Sequence, residues 1–213
     1  MTYARPLAAA GFVAALAAVV ASCPSTALAG EADVGSFRLD VVPATAPLPA
    51  PVKPFGKGTK TFEFEASYTT PIRYSVEEFA TGSVGVGYFL FDHHSLTLLA
   101  QGWHVSQAGD HSTEAGAVFV LGRSILYDAE KWAFYVDGGG GYSWANDAVP
   151  IGGTTYNFNA RAGLGLAWRL QPATYLIGGA RYFHLSNAQA HGREKNPSYD
   201  GVEYYVGMLF AFH

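Results

Sequence analysis

Cysteine is all but absent from this sequence. Cys23 is the only one in 213 residues, and it falls in an apolar stretch near the N-terminus. No disulfide can staple the domain that follows, so its stability rests on burial and hydrogen bonding. Charge is scarce as well. Asp, Glu, Lys and Arg make up 14% of the chain, against roughly 25% in ordinary soluble domains. The formal net charge is −4 and there is no basic run, which argues against a nucleic-acid partner. Beyond residue 21 there is no apolar run long enough to cross a bilayer as a helix. In place of these the chain carries 15% aromatic residues and 25 glycines. Few charges, many aromatics and no helical span together point to a membrane β-barrel.

The first residues read as an export address. Met1-Thr2-Tyr3-Ala4-Arg5 carries one positive charge, residues 7–21 are apolar, and Ala27-Leu28-Ala29 precedes Gly30. That order of charged, apolar and small residues predicts a cleaved signal peptide over residues 1–29, which is excluded from the fold. Val20-Ala21-Ser22-Cys23 also fits lipid attachment at Cys23, and this alternative stays open. Residues 30–58 hold Pro43, Pro47, Pro49, Pro51 and Pro54 among small residues, the composition of a flexible, Pro-rich lead-in.

From residue 59 onward the pattern changes to period-two alternation broken by turn signals. Phe62, Phe64, Ala66 and Tyr68 alternate with Thr61, Glu63, Glu65 and Ser67. Farther on, Phe158, Ala160, Ala162, Leu164, Leu166 and Trp168 alternate with Asn159, Arg161, Gly163, Gly165, Ala167 and Arg169. Eight such runs are found, near 60–68, 82–91, 94–104, 114–127, 131–144, 158–169, 173–186 and 201–212. One face of each is apolar, whereas the other carries glycine, alanine and charges such as Glu63, Arg161 and Arg181. The fold class expected is all-β: an eight-stranded antiparallel transmembrane β-barrel over residues 59–213. Its apolar face meets lipid and its small lumen is filled by side chains. Connections 2–3, 4–5 and 6–7 are short and the other four longer, which puts both barrel ends of the chain in the periplasm. Trp103, Trp132, Trp144 and Trp168 are expected in the interfacial aromatic girdles.

Against this frame one stretch stands out, Arg181-Tyr182-Phe183-His184-Leu185-Ser186-Asn187-Ala188. Residues two apart on a strand point the same way, with Cα atoms roughly 6.5 Å apart. An imidazole at that spacing reaches a hydroxyl and can take its proton, the first requirement of an activated serine. Arg181 marks the lumen parity, so Tyr182, His184 and Ser186 face lipid, where unpaired polar groups are expensive. Two acids open the last strand. Asp200 shares the lipid-facing parity of Val202 and Tyr204, whereas Glu203 lies with Gly201, Tyr205 and Gly207.

These residues carry a family resemblance. Arg181-Tyr182-x-His184-x-Ser186-Asn187-Ala188, followed by Asn196-Pro197-x-x-Asp200 and Val206-Gly207-x-x-Phe210, resembles the PagL-type lipid A 3-O-deacylases over about the last 35 residues. The resemblance implies a serine esterase of the Gram-negative outer membrane, acting on lipid A of lipopolysaccharide in the outer leaflet. It implies Ser186 as nucleophile, His184 as general base, a carboxylate orienting the imidazole, and Asn187 at the oxyanion. The family's Asn-Pro-Gly-x-Glu/Asp pattern selects Asp200 as the acid, although Ser198 replaces the glycine. Counting back from the chain end selects Glu203 instead. No cofactor and no metal is implied, and whether the chain pairs as a homodimer is left open.

Other features have plainer readings. His93, His94 and His104 fall at opposite ends of one strand, which does not suit a three-ligand metal site. Gly138-Gly139-Gly140-Gly141 lacks the Lys-Ser/Thr and the helix of a phosphate loop. Arg193 and Lys195 are either solvated loop charges or contacts to lipid A phosphates. Two competing readings remain for the whole chain. One is a non-catalytic structural barrel that keeps the motif, and the other is a soluble ligand-binding barrel of lipocalin type.

Overall fold

A computed structural model describes residues 53–72 and 75–213. The expected signal peptide, Cys23 and most of the Pro-rich lead-in lie outside the described residues. Eight strands are present among the described residues: β1 (Lys60–Pro71), β2 (Glu78–Phe91), β3 (His94–Ser106), β4 (Ser112–Asp128), β5 (Trp132–Val149), β6 (Thr154–Gln171), β7 (Thr174–Ser186) and β8 (Tyr199–Phe212). They pair antiparallel in sequence order, and β1 pairs with β8 to close the barrel.

Alternation settles which side chains go where. Outside, Val84, Val86, Leu96, Leu98, Val120, Leu164 and Leu166 are exposed, the lipid-facing wall of a transmembrane barrel. This excludes the soluble ligand-binding reading, which needs a polar exterior. Inside, the lumen is stratified. One end is filled by Phe89, Ile125, Tyr135, Tyr175, Ile177 and Leu209, and the other by Phe79, Leu99, Trp103, Phe119, Phe183 and Tyr199. Between them lie buried charges. Arg123 donates to Glu63 at 2.8 Å, and Arg161 donates to Glu203 at 3.2 Å. Arg181 binds two carboxylates at once, Glu65 at 2.8 and 3.0 Å and Asp137 at 2.9 and 2.8 Å. Its guanidinium also lies 3.6 Å from the ring centroid of Tyr205. Glycines make the space for this. A Cβ on Gly165 would stand 2.3 Å from the Tyr205 hydroxyl, and one on Gly179 would stand 2.8 Å from it.

Three details differ from the sequence expectations. The 5–6 connection, still longer than the turns at the other end, is shorter than the sequence bounds imply, because β5 and β6 run on to pair Val149 with Thr154 and leave residues 150–153 between them. A register irregularity between Trp144 and Val149 breaks the alternation there and hides the extension. Residues 53–58, read as the end of a flexible lead-in, form turns instead, and Phe55 is buried against Phe89 and Tyr175 at ring-centroid distances of 5.8 and 5.0 Å. Trp103 is 4% exposed and lies in the lumen, not in a girdle, with its indole N–H on Gln101 Oε1 at 3.1 Å. The other three tryptophans are exposed on the outer wall, Trp132 paired with Trp168 at the short-turn end and Trp144 near the long-loop end.

Arg181→Met removes one side of a fully buried ionic cluster and leaves Glu65 and Asp137 with only the longer contacts to Arg123, at 3.8 and 3.4 Å. Unfolding by urea in lipid vesicles is expected to lose about 3–5 kcal/mol of stability, with Arg181→Lys recovering only part because an ammonium lacks the two-pronged fork.

Candidate active site

The site begins with the parity of β7. Arg181, Phe183 and Leu185 are buried in the lumen, so Tyr182, His184 and Ser186 stand on the outer wall. Antiparallel pairing then sets the neighbours. On β6, Ala160 lies opposite His184 and Phe158 opposite Ser186. On β8, Asp200 lies directly opposite His184. Adjacent side chains on one face of a sheet are close enough to bond, and these do. His184 Nδ1 is 2.7 Å from Asp200 Oδ1, and His184 Nε2 is 3.3 Å from Ser186 Oγ. The imidazole thus bridges a carboxylate and a hydroxyl. The serine contact is longer than an ideal hydrogen bond, as is common in a site without substrate. A fourth group joins them, for the Tyr182 hydroxyl donates to the same oxygen of Asp200.

His184 and Asp200 keep 35% and 34% of their side-chain surface exposed, so the group opens sideways through the barrel wall. The loop ends of the strands hold it in place. The backbone of Asp200 accepts from Ile72 N–H at 3.0 Å, tying β8 to the end of β1. Ser186 is the last residue of β7, and beyond it the chain turns sharply through Ala188 and Gln189, at φ of 54° and 61°.

Of the two acids weighed from the sequence, only Asp200 stands beside the imidazole. Glu203 faces the lumen, accepting from Ser67 Oγ at 3.0 Å and from Arg161. Asn187 also differs from expectation. It is 1% exposed, and its side-chain N–H groups donate to Thr154 Oγ1 at 3.2 Å and Lys195 O at 2.5 Å. Its Oδ1 accepts from Gln189 N–H at 3.0 Å, and its own N–H donates to Asn196 Oδ1 at 2.9 Å. With those donors engaged, Asn187 organises the 7–8 loop around the end of β7 and offers no side-chain N–H to an oxyanion. Tyr182 was missed as a site residue. The signal was present, since it lies two residues before His184 on the same face. Arg193 and Lys195 are exposed in a short 3-10 turn of the same loop.

His94 and His104 have partners elsewhere. His94 contacts Ser124 Oγ at 3.0 Å at one end of β3, and His104 contacts Glu114 Oε1 at 2.7 Å near the other. Among the described residues no group of three or more His, Cys, Asp or Glu is gathered as for a metal ion.

Asn187→Ala removes the knot between β6, β7 and the 7–8 loop. Limited proteolysis of the folded protein is expected to cut faster between residues 188 and 196 than in wild type, while the barrel itself stays resistant.

Comparison with known proteins follows from this geometry. The sequence profile of a family described as lipid A 3-O-deacylase (PagL) matches residues 62–208. No curated protein matches the chain. Among solved structures, Neisserial surface protein A aligns with a TM-score of 0.54 at 11% identity, over 72% of this chain and 96% of its own. The N-terminal β-barrel domain of Pseudomonas aeruginosa OprF aligns with a TM-score of 0.49 at 18% identity, over 74% of this chain and 99% of its own. At this identity the likeness to Neisserial surface protein A speaks to the fold alone.

Proposed function

The chain belongs to the PagL family of lipid A 3-O-deacylases, β-barrel hydrolases of the Gram-negative outer membrane, and on that premise we propose that it works as a serine esterase through Ser186, His184 and Asp200. The observation that carries this reading is the run of contacts from Asp200 through His184 to Ser186 on the lipid-facing wall. The substrate is lipid A of the outer leaflet, whose acyl esters lie beside the barrel near the long-loop ends of the strands. Lateral approach suits a group that opens through the wall.

In the first half-reaction Ser186 Oγ attacks the carbonyl carbon of the 3-linked acyl ester while His184 Nε2 takes the hydroxyl proton. Asp200 accepts the Nδ1–H of His184. It holds the ring in the tautomer that leaves Nε2 free to receive that proton, and its charge stabilises the imidazolium that forms. The tetrahedral intermediate collapses as the bond to the sugar oxygen breaks, and His184 returns its proton to that oxygen, freeing the 3-hydroxyl. In the second half-reaction a water, deprotonated by His184, attacks the acyl-serine ester. Collapse then releases the fatty acid and restores Ser186.

Mass spectrometry of lipid A from cells expressing each variant tests the assignment. Ser186→Ala is expected to abolish loss of the 3-linked acyl chain. Asp200→Ala is expected to slow it by about three to four orders of magnitude. Glu203→Gln, in the lumen, is expected to weaken the fold yet retain deacylation. Intact activity in Ser186→Ala, or greater loss in Glu203→Gln than in Asp200→Ala, would overturn the assignment.

A further inference from the structure

We propose that Tyr182 is a positioning residue for this site, its hydroxyl holding the Asp200 carboxylate where that carboxylate can hold His184. The inference rests on reading Ser186, His184 and Asp200 as the catalytic group. Its basis is the convergence of two donors from one strand on one oxygen. His184 Nδ1 lies 2.7 Å from Asp200 Oδ1, and the Tyr182 hydroxyl donates to that same atom. The strand geometry explains how both reach it. Tyr182 and His184 are neighbours on the outer face of β7. Asp200 stands opposite His184, and Val202 stands opposite Tyr182. Tyr182 is therefore the diagonal neighbour of Asp200, a gap of roughly 7–8 Å between Cα atoms that an aromatic side chain spans and a short one does not.

The need for a second donor follows from where the carboxylate stands. Asp200 is partly exposed at the edge of the lipid-facing wall, with headgroup water within reach of its carboxylate. An aspartate held by a single hydrogen bond can turn about its last torsion toward headgroup water and release the imidazole. A phenol hydroxyl on the same oxygen restrains that rotation. The competing role for Tyr182, 47% exposed, is that of a girdle tyrosine anchored at the membrane interface. The two roles use different parts of the side chain. Girdle anchoring draws on the ring and its polar tip together, whereas positioning needs the hydroxyl on Asp200. Tyr68 supplies an internal control, for it is another outward tyrosine donating to a carboxylate, Glu78 Oε2 at 2.6 Å, two strands away on β1.

The test is a double-mutant cycle on the full-length protein in detergent micelles. Wild type, Tyr182→Phe, Asp200→Ala and the double variant are compared for kcat and KM on lipid A. The same four are compared for the rate at which a fluorophosphonate labels Ser186. The labelling rate reads nucleophile activation without requiring lipid to bind. Tyr182→Phe is expected to lower kcat and the labelling rate roughly tenfold, with KM within about twofold of wild type. In the Asp200→Ala background the same change is expected to have no further effect on labelling, since the group it acts through is gone. Tyr68→Phe is expected to leave both readouts at the wild-type level. A rise in KM alone would assign Tyr182 to substrate contact and overturn the proposal. So would equal losses in both backgrounds, or no loss at all. Ser186→Ala runs beside them. If it keeps turnover, the serine esterase reading fails; if it loses turnover and labelling while Tyr182→Phe is silent, only the positioning role fails.

Discussion

The fold and its site depend on one buried guanidinium. Arg181 spans the lumen with its fork on Glu65 of β1 and its other edge on Asp137 of β5, so three strands meet at one side chain. Removing any member leaves a charge in a medium that cannot solvate it, which is why such a cluster tolerates one arrangement and few others. The consequence for the outer wall is direct. Side chains on a strand alternate with a period of two, so a one-residue slip exchanges the faces. With Arg181 committed to the lumen, Tyr182, His184 and Ser186 have nowhere to point but outward. The face of β7 that carries the proposed site is thus set by an interaction on the opposite side of the sheet.

The adjacent strands complete what β7 starts. β8 sets Asp200 opposite His184, and on the same strand Glu203 takes the other parity and enters the ionic cluster. Two acids three residues apart therefore face opposite sides of the wall and have unlike partners. β6 contributes restraint. Ala160, the neighbour of His184, is small enough to leave the imidazole edge open to the membrane side. Asn187 then closes the design by pinning the 7–8 loop to Thr154 at the start of β6, so the end of β7 is held from two directions.

Much of this was legible in the sequence because sheet parity is a local property. Counting in twos from Arg181 was enough to put His184 and Ser186 on one face. Counting in twos along the last strand separated Asp200 from Glu203. What escaped notice was set by contacts that alternation does not encode. Trp103 reads like the other tryptophans by composition, but it shares parity with Gln101 and packs edge-on to Phe79 and Phe183 in the lumen at 5.5 and 5.8 Å. The extension of β5 and β6 was hidden because an irregular register breaks the period where the strands run past the wall. Phe55 lies in a proline-rich context that predicts flexibility, and its burial depends on a mouth formed by strands far away in sequence. The Asn187 amide could be guessed as a donor, but its partners are Thr154 at the start of β6 and Lys195 of the 7–8 loop, brought together only by the fold. Tyr182 shares the face of His184. Its aim at Asp200 becomes evident only once the register between β7 and β8 is known.

A filled lumen is compatible with catalysis here because the substrate arrives in the plane of the membrane. An enzyme fed through its interior must keep a passage open, and an open passage in so narrow a barrel would strip the ionic cluster of its packing. A lipid substrate needs no passage, since its acyl chains already lie against the outer wall. The interior is then free to be rigid, with paired charges between two aromatic layers. That rigidity serves the exterior, because the proposed nucleophile and base must hold their spacing without a surrounding cleft. The 7–8 loop borders the proposed site at the long-loop end, and Asn187 ties it down. Rigidity inside and reaction outside are two results of one constraint, that an eight-stranded cylinder has room for side chains and for nothing else.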